Sequence, residues 1–170
     1  MQIEAYLAQL AASAQTIAAL VATVTPEQAR WKPTPDDWSI LEVLNHLYDE
    51  EREDFRRRLD LTLHHPEQEW PPIDPQGWVA ERAYNQRELG RSLESFLDER
   101  RASLSWLGSL VRPDWALARQ HPSGFTISAG DLLVSWVGHD FLHLRQLVEL
   151  QRAYLARQAA PYTIDYAGEW

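Results

Sequence analysis

Cysteine is absent from the 170-residue chain. Disulfides, thiolate metal sites and cysteine nucleophiles are therefore excluded, and any metal ion must be held by histidine, carboxylate or water. Basic residues are also few, since 16 Lys and Arg stand against 25 Asp and Glu and give a formal net charge of −9. This balance argues against sequence-independent nucleic-acid binding and against docking on anionic membranes, because both require a basic face.

Long hydrophobic runs are absent as well. No window approaches the roughly 20 apolar residues that cross a bilayer, and the first residues lack the basic start of a signal peptide. We therefore expect a cytoplasmic protein. The chain is 45% hydrophobic and 24% charged, as in ordinary globular proteins, and its length suits one domain over residues 1–170.

Apolar residues recur at helical spacing in four segments, and no strand pattern competes with them. These segments predict helices over 2–24, 39–61, 78–110 and 129–157. Ser39 with Glu42 forms a capping box before the second helix, and Ser128 with Asp131 forms a similar one before the fourth. Because residues 62–77 form a long proline-rich loop, we predict an all-α four-helix bundle with a long crossover between helices 2 and 3.

His139 and His143 are four residues apart in the fourth predicted helix. This spacing places both rings on one face, about one turn apart, in the same arc as Leu132, Trp136 and Leu147. The pair should therefore point into the core, where imidazoles need partners for their nitrogens. A shared divalent cation would supply them, and so would unrelated hydrogen bonds. The spacing alone leaves both interpretations open.

His46 lies at the edge of the apolar stripe of the second predicted helix. A single histidine in that position is more often capped or solvated than bound to a metal. If His46 points inward, however, it can meet His139 and His143. Three imidazoles from two helices would leave coordination positions open for water or substrate, as a catalytic metal site requires.

Three polar residues are the nearest candidates to accept a hydrogen bond from the second nitrogen of these rings: Glu50, Asp140 and Gln146. Glu50 follows His46 by one turn on the same side and is also a candidate proton acceptor. The alternative for Glu50 is a solvated carboxylate that pairs with an arginine of its own helix, such as Arg52, Arg56 or Arg57, or with one across the bundle.

Two stretches of the chain resemble the signatures of the DinB-like superfamily of metal-binding four-helix bundles. Trp38–Leu47, WSILEVLNHL, is similar to its second-helix signature, and Gly138–Leu147, GHDFLHLRQL, is similar to its fourth-helix signature. The length between them also matches. The resemblance implies that His46, His139 and His143 bind a divalent metal ion, and three imidazoles suit Zn, Ni, Fe or Mn.

The resemblance also implies a function. Members of the wider superfamily include S-transferases and isomerases in which a divalent ion activates a low-molecular-weight thiol as the thiolate. We therefore expect a divalent-metal-dependent enzyme with thiol-dependent S-transferase-like chemistry on a small electrophile. A non-catalytic metal-binding or stress-induced binding module is the alternative, because it needs only the same site.

The fourth predicted helix carries a second apolar arc on the side away from the histidines, formed by Leu133, Val137, Phe141, Leu144 and Val148. A helix that is apolar all round is either central or covered by a partner. Each helix of a four-helix bundle has an outer face. We therefore predict a homodimer that forms through this helix.

Overall fold

A computed structural model describes residues 2–169. Its helices are α1 Ile3–Val21, α2 Pro26–Arg30, α3 Ile40–Asp49, α4 Arg56–His64, α5 Pro75–Glu81, α6 Leu89–Ser109 and α7 Ala129–Gln158. A π-helical turn, Glu50–Phe55, joins α3 to α4, and 3-10 turns lie at Tyr84–Gln86 and Asp165–Ala167. Strands β1 Ala118–Gln120 and β2 Thr126–Ser128 form one hairpin. Among these helices, none combines the length and the apolar character needed to cross a bilayer.

The four long members of the bundle are α1, α6, α7 and the continuous rod of α3, the π-helical turn and α4, called here the α3–α4 rod. α1 packs against α6 and α7, and the α3–α4 rod packs against the same two helices from the opposite corner. Three contacts between the rod and α6 follow the same residue order along both segments: Asn45–Ser92 at 3.0 Å, Glu51–Arg100 at 2.8 Å and Arg56–Ser103 at 3.1 Å. The two therefore run parallel, which requires a long connection, and the predicted crossover is confirmed.

Both predicted capping boxes are present. The Ser39 hydroxyl accepts from the Glu42 N–H at 3.1 Å, and the Glu42 carboxylate accepts from the Ser39 N–H at 2.8 Å. Ser128 and Asp131 make the equivalent pair of bonds at the start of α7, at 3.1 and 3.0 Å. Because each cap fixes the residue at which its helix begins, it also fixes which later residues face the core.

The π-helical turn interrupts the second predicted helix. In an α-helix, each step of four residues turns about 40° past a full circle, and the wider π-helical turn compensates for this drift. His46, Glu50, Asp54 and Arg58 consequently stay on one side of the rod, and all four are buried. The turn thus places three ionisable side chains in a row behind His46.

The prediction of one helix over 78–110 is wrong in its first part. α5 ends at Glu81, Ala83 has φ of 48° in the left-handed region, and α6 begins only at Leu89. The Glu88 side chain caps α6 by accepting from the next two free backbone N–H groups, at 2.9 and 2.7 Å. The sequence predicts one continuous helix here because apolar residues recur at helical spacing on both sides of the break.

The break between α5 and α6 is explained by the tertiary contacts of buried Asp49. Its carboxylate accepts a hydrogen bond from the Tyr84 hydroxyl and lies 2.8 Å from the Arg82 guanidinium. Both groups come from the segment between α5 and α6, which bends so that they reach the α3–α4 rod. A straight helix over 78–110 would not deliver both side chains to one carboxylate.

The absence of strands was also predicted wrongly for the connector before α7. β1 and β2 pair antiparallel, with Ala118 opposite Ser128 and Gln120 opposite Thr126. Strands of three residues are too short to produce a recognisable alternation of apolar and polar residues. β2 leads directly into Ala129, so the hairpin holds the start of α7 in place.

The second apolar arc of α7 is largely covered by the chain itself. Leu133 and Val137 are buried, and Leu144 packs against the main apolar cluster of α1, α3, α6 and α7. The exposed large apolar side chains of α7 are Val134, Phe141, Leu142 and Leu155. Within the predicted arc, only Phe141 is exposed, and the homodimer stays a prediction.

Candidate metal centre

The structure brings together three histidines from two helices. His46 extends from α3, and His139 and His143 extend from α7. The Nε2 atom of His139 lies 3.2 Å from Nε2 of His46 and 3.1 Å from Nε2 of His143. One nitrogen of each ring lies within 4.8 Å of the other two. His46 and His143 are buried and His139 is half-buried, so His46 points inward and meets the condition under which the three rings come together.

The donor set fits a divalent cation. The Nδ1 atom of His143 faces the side-chain oxygen of Gln146 at 2.7 Å, so the ring proton belongs on Nδ1 and the Nε2 lone pair points at His139. A single N–H on His139 cannot satisfy two facing nitrogens. At metal–nitrogen distances of about 2.0–2.1 Å, tetrahedral ligands stand roughly 3.3 Å apart, close to the two spacings of 3.2 and 3.1 Å that His139 makes.

The protonation state of the histidines also favours metal binding. Burial, with a contribution from His143, lowers the pKa of His46 from 6.5 to about 3. Burial, with both neighbouring imidazoles, lowers the pKa of His139 to about 2, and burial lowers the pKa of His143 as well. All three rings are therefore neutral near pH 7, which is the form that binds a metal ion.

Of the three acceptors predicted for the second ring nitrogens, Gln146 alone makes such a bond among the described residues. Asp140 lies about 100° around α7 from His139 and points to α6, where Arg100 binds it at 2.6 and 2.8 Å. The prediction for Asp140 is therefore wrong. The Nδ1 atom of His46 is buried and has no hydrogen-bond partner within residues 2–169.

Glu50 lies beside the histidines and is 5% exposed. Its carboxyl group interacts with Asp54, and Asp54 forms an ion pair with Arg58 at 2.7 Å. Burial, followed by the negative charge of Asp54, raises the pKa of Glu50 from 4.5 to about 8. A dication on the histidines would act in the opposite direction and favour the carboxylate.

The alternative of a solvated Glu50 carboxylate is wrong. Glu50 is buried, and Arg52 pairs with Asp49 and Glu53 instead. Arg56 reaches across to Glu99 on α6. The Oε1 atom of Glu50 has no hydrogen-bond partner within the described part of the chain.

A cleft of about 650 Å³ opens onto the three histidines. Trp38 lines it, with its ring 4.8 Å from the ring of His46 and parallel to the ring of His143 at 6.3 Å. Glu50 lines the same cleft. The three histidines are therefore enclosed by the bundle on one side and accessible to a small molecule on the other.

Sequence reasoning missed two features of the site. It gave no role to Asp54 and Arg58, although the spacing 46, 50, 54, 58 places charged residues one turn apart and was a usable signal. It also gave Trp38 no part in the site. No sequence pattern indicated that Trp38 would form a wall of the cleft, because that depends on where α7 lies.

The comparison with protein families decides the classification. The family model for the DinB superfamily matches residues 9–147, a span that includes all three histidines. The chain belongs to the DinB superfamily. No curated protein is significantly similar to it.

Among solved structures, this DinB-superfamily chain is similar to YfiT from Bacillus subtilis, with a TM-score of 0.79 and 20% sequence identity. The match covers 89% of this chain and 86% of the YfiT chain. YfiT is described as a probable metal-dependent hydrolase with an unusual four-helix bundle topology. At this level of identity the similarity shows the shared fold, and the predicted four-helix bundle is confirmed.

Proposed function

We propose that this DinB-superfamily protein is a divalent-metal-dependent enzyme in which His46, His139 and His143 hold the ion. The convergence of three neutral ring nitrogens at the floor of an open cleft carries the proposal. A divalent cation, when bound there, would lower the pKa of a thiol or water ligand into the neutral range. The donor set suits Zn, Ni, Fe or Mn.

Residues around the histidines would prepare the site for this chemistry. Gln146 holds the His143 ring in the orientation that directs Nε2 to the centre. Glu50 presents a carboxyl oxygen without a protein partner to the same cleft and can accept the proton of the nucleophile. Trp38 forms an apolar wall that limits water and positions the substrate beside the histidines.

The leading reaction is thiol-dependent transfer to a small electrophile, as an S-transferase would catalyse. The resemblance to the superfamily supports it, and the cleft volume of about 650 Å³ lies in the range of small-molecule sites. Hydrolysis is the second candidate. The position of Glu50 favours it, because a buried carboxylate beside a metal centre can deprotonate water, and the similar fold of YfiT agrees with it.

Elemental analysis tests the metal site. The purified protein should contain a stoichiometric divalent metal, and His143→Ala should lose it, because two imidazoles remain and coordination weakens. His64→Ala is the matched control, since His64 is exposed and binds Asp60 instead. Full metal content in His143→Ala would show that the assignment is wrong.

A second experiment separates the functions. The metal-loaded protein is incubated with an activated aryl halide and with activated esters, in the presence and absence of low-molecular-weight thiols. Turnover of the halide that requires the thiol supports the transferase, and ester cleavage without thiol supports the hydrolase. If no substrate is turned over and no thiol or electrophile raises the melting temperature, the protein is a non-catalytic metal-binding module.

A further inference from the structure

The mouth of the cleft carries unneutralised negative charge. Its charged residues are Asp36, Asp37, Arg145 and Glu149. Arg145 and Glu149 neutralise each other through an ion pair at 2.7 Å. Across residues 2–169, neither Asp36 nor Asp37 forms an ion pair; the Asp37 carboxylate accepts only from the backbone N–H and hydroxyl of Thr34, at 3.0 and 2.8 Å. Two carboxylate charges are therefore left facing solvent at this opening.

A second, independent observation lies deeper in the same cleft. Glu50 is more than nine-tenths buried, and its Oε1 atom has no hydrogen-bond partner in the described chain. A buried polar atom without a partner is unfavourable and is usually satisfied by a ligand or an ordered water. The cleft thus contains an acceptor at depth as well as two carboxylates at its opening.

Trp38 is the third feature of the cleft, and it lies next to both Asp37 and His46. It follows Asp37 directly in sequence, lines the cleft and contacts the ring of His46 at 4.8 Å between centroids. Indole faces attract ammonium and guanidinium groups through the negative potential of the ring. An aromatic wall next to free carboxylates is an arrangement that recognises organic cations.

We propose that the cleft binds a small molecule with a positively charged ammonium or guanidinium group, which lies between Trp38, Asp36 and Asp37 while its electrophilic part extends toward the histidines. This inference rests on the proposed function and names its substrate class. Anionic compounds meet the two unneutralised carboxylates and are disfavoured.

Three probes that share a benzene ring test the charge preference: benzyltrimethylammonium, benzyl alcohol and benzenesulfonate. The quaternary ammonium has no lone pair and cannot coordinate the metal, so its affinity reports the cleft alone. In isothermal titration calorimetry, the cation should bind at least roughly tenfold more tightly than the alcohol and the sulfonate. On the metal-free protein, where no probe can coordinate an ion, equal affinities or tightest binding of the sulfonate would overturn the proposal.

A double variant tests whether Asp36 and Asp37 produce the preference for the cation. Asp36→Asn with Asp37→Asn keeps the oxygen that accepts from Thr34 and removes both charges, so affinity for the cation should fall several-fold and lose its dependence on salt. The control is Glu67→Gln with Glu69→Gln, which removes the same charge from an exposed loop outside the cleft. An equal loss in both double variants would mean that net charge, and not the mouth, attracts the cation.

The failure of this inference can be distinguished from the failure of the proposed function. Probe binding is measured on both the metal-free and the metal-loaded protein, while metal content is measured without any probe. If the metal is present and the probes show no charge preference, only the substrate class is wrong. If the metal is absent from every preparation and the cation still binds at the mouth, the metal-dependent function is wrong and the cation site is retained.

Discussion

Arg100 and Asp140 form a buried ion pair with two hydrogen bonds, of 2.6 and 2.8 Å. The same guanidinium binds Glu51 with two further bonds of 2.8 Å and the carbonyl of Leu10 at 2.9 Å. Glu51 also accepts from the indole of Trp136 at 3.0 Å. One arginine therefore connects all four long members of the bundle. Because Asp140 sits between the two histidines of α7, this network fixes the rotation of the helix that carries them.

Replacing Arg100 should destabilise the protein strongly. Arg100→Met leaves the buried carboxylates of Glu51 and Asp140 without their cation, and loss of one partner of a buried ion pair costs about 3–5 kcal/mol. Urea unfolding of the metal-free protein measures the change. Arg145→Met is the control, because Arg145 pairs with Glu149 on the surface and should cost less than about 1 kcal/mol. Equal small losses in both variants would show that the network contributes little to folding.

Gln146 should affect metal affinity. Gln146→Leu removes the acceptor of the His143 Nδ1–H, and the ring loses the bond that orients it. Such losses weaken metal binding by about 10- to 100-fold, which a competition titration against a chelator measures. Gln151→Leu serves as the control, since Gln151 lies on the same helix and donates to the Leu20 carbonyl, away from the centre. The prediction fails if the two variants bind the metal equally well.

Buried histidines should make the metal-free protein sensitive to acid. The pKa of His139 is about 2 in the folded state and 6.5 as its ordinary value. Below pH 6.5 the unfolded chain binds a proton that the folded state does not, so stability present above that pH is lost as pH falls toward the folded pKa. Each such histidine contributes up to about 1.4 kcal/mol per pH unit. Urea unfolding from neutral to mildly acidic pH measures the slope.

His139→Gln should reduce that slope by up to one proton. An unchanged slope in His139→Gln would mean that this ring takes up a proton in the folded protein as readily as in the unfolded chain. The metal-loaded protein gives the complementary result. Since the rings are neutral well below pH 6.5, the metal should be retained at mildly acidic pH.

Glu50 should have the opposite dependence on pH. Its pKa is about 8 in the folded state against an ordinary 4.5, so the stability it contributes is fully present below pH 4.5 and is lost as pH rises through about 8. Glu50→Gln removes this dependence in the metal-free protein. Glu53→Gln, on the same π-helical turn but half exposed and paired with Arg52, is the control. Identical pH profiles for wild type and Glu50→Gln would exclude the buried, protonated carboxyl.

The role of Glu50 in turnover is a separate measurement. Once a substrate has been found, Glu50→Gln should keep the metal and lower the rate constant by about 10²- to 10⁴-fold, as expected for loss of a general base. A metal-loaded Glu50→Gln variant with the wild-type rate would leave Glu50 without a part in proton transfer.

The local features of this protein follow from short stretches of sequence. The Ser39 and Ser128 capping boxes fix where α3 and α7 begin, because each depends on contacts within four residues. The spacing of His139 and His143 places both rings on one face for the same reason. The break between α5 and α6 was missed, since it depends on Asp49, more than thirty residues earlier in the chain.

The sequence by itself determined the long helical segments in outline, the capping boxes of α3 and α7, the histidine pair of α7 and, through its motifs, the resemblance to the superfamily. Only the tertiary structure decided that His46 meets that pair and that Glu50 is buried. It also decided that Asp140 accepts hydrogen bonds from Arg100 instead of from a histidine. Helix formation depends on residues within one or two turns of each other, whereas the rotation and packing of α3, α6 and α7 depend on contacts between distant segments. A site that is shared between helices is therefore set by the bundle and not by any one stretch of the chain.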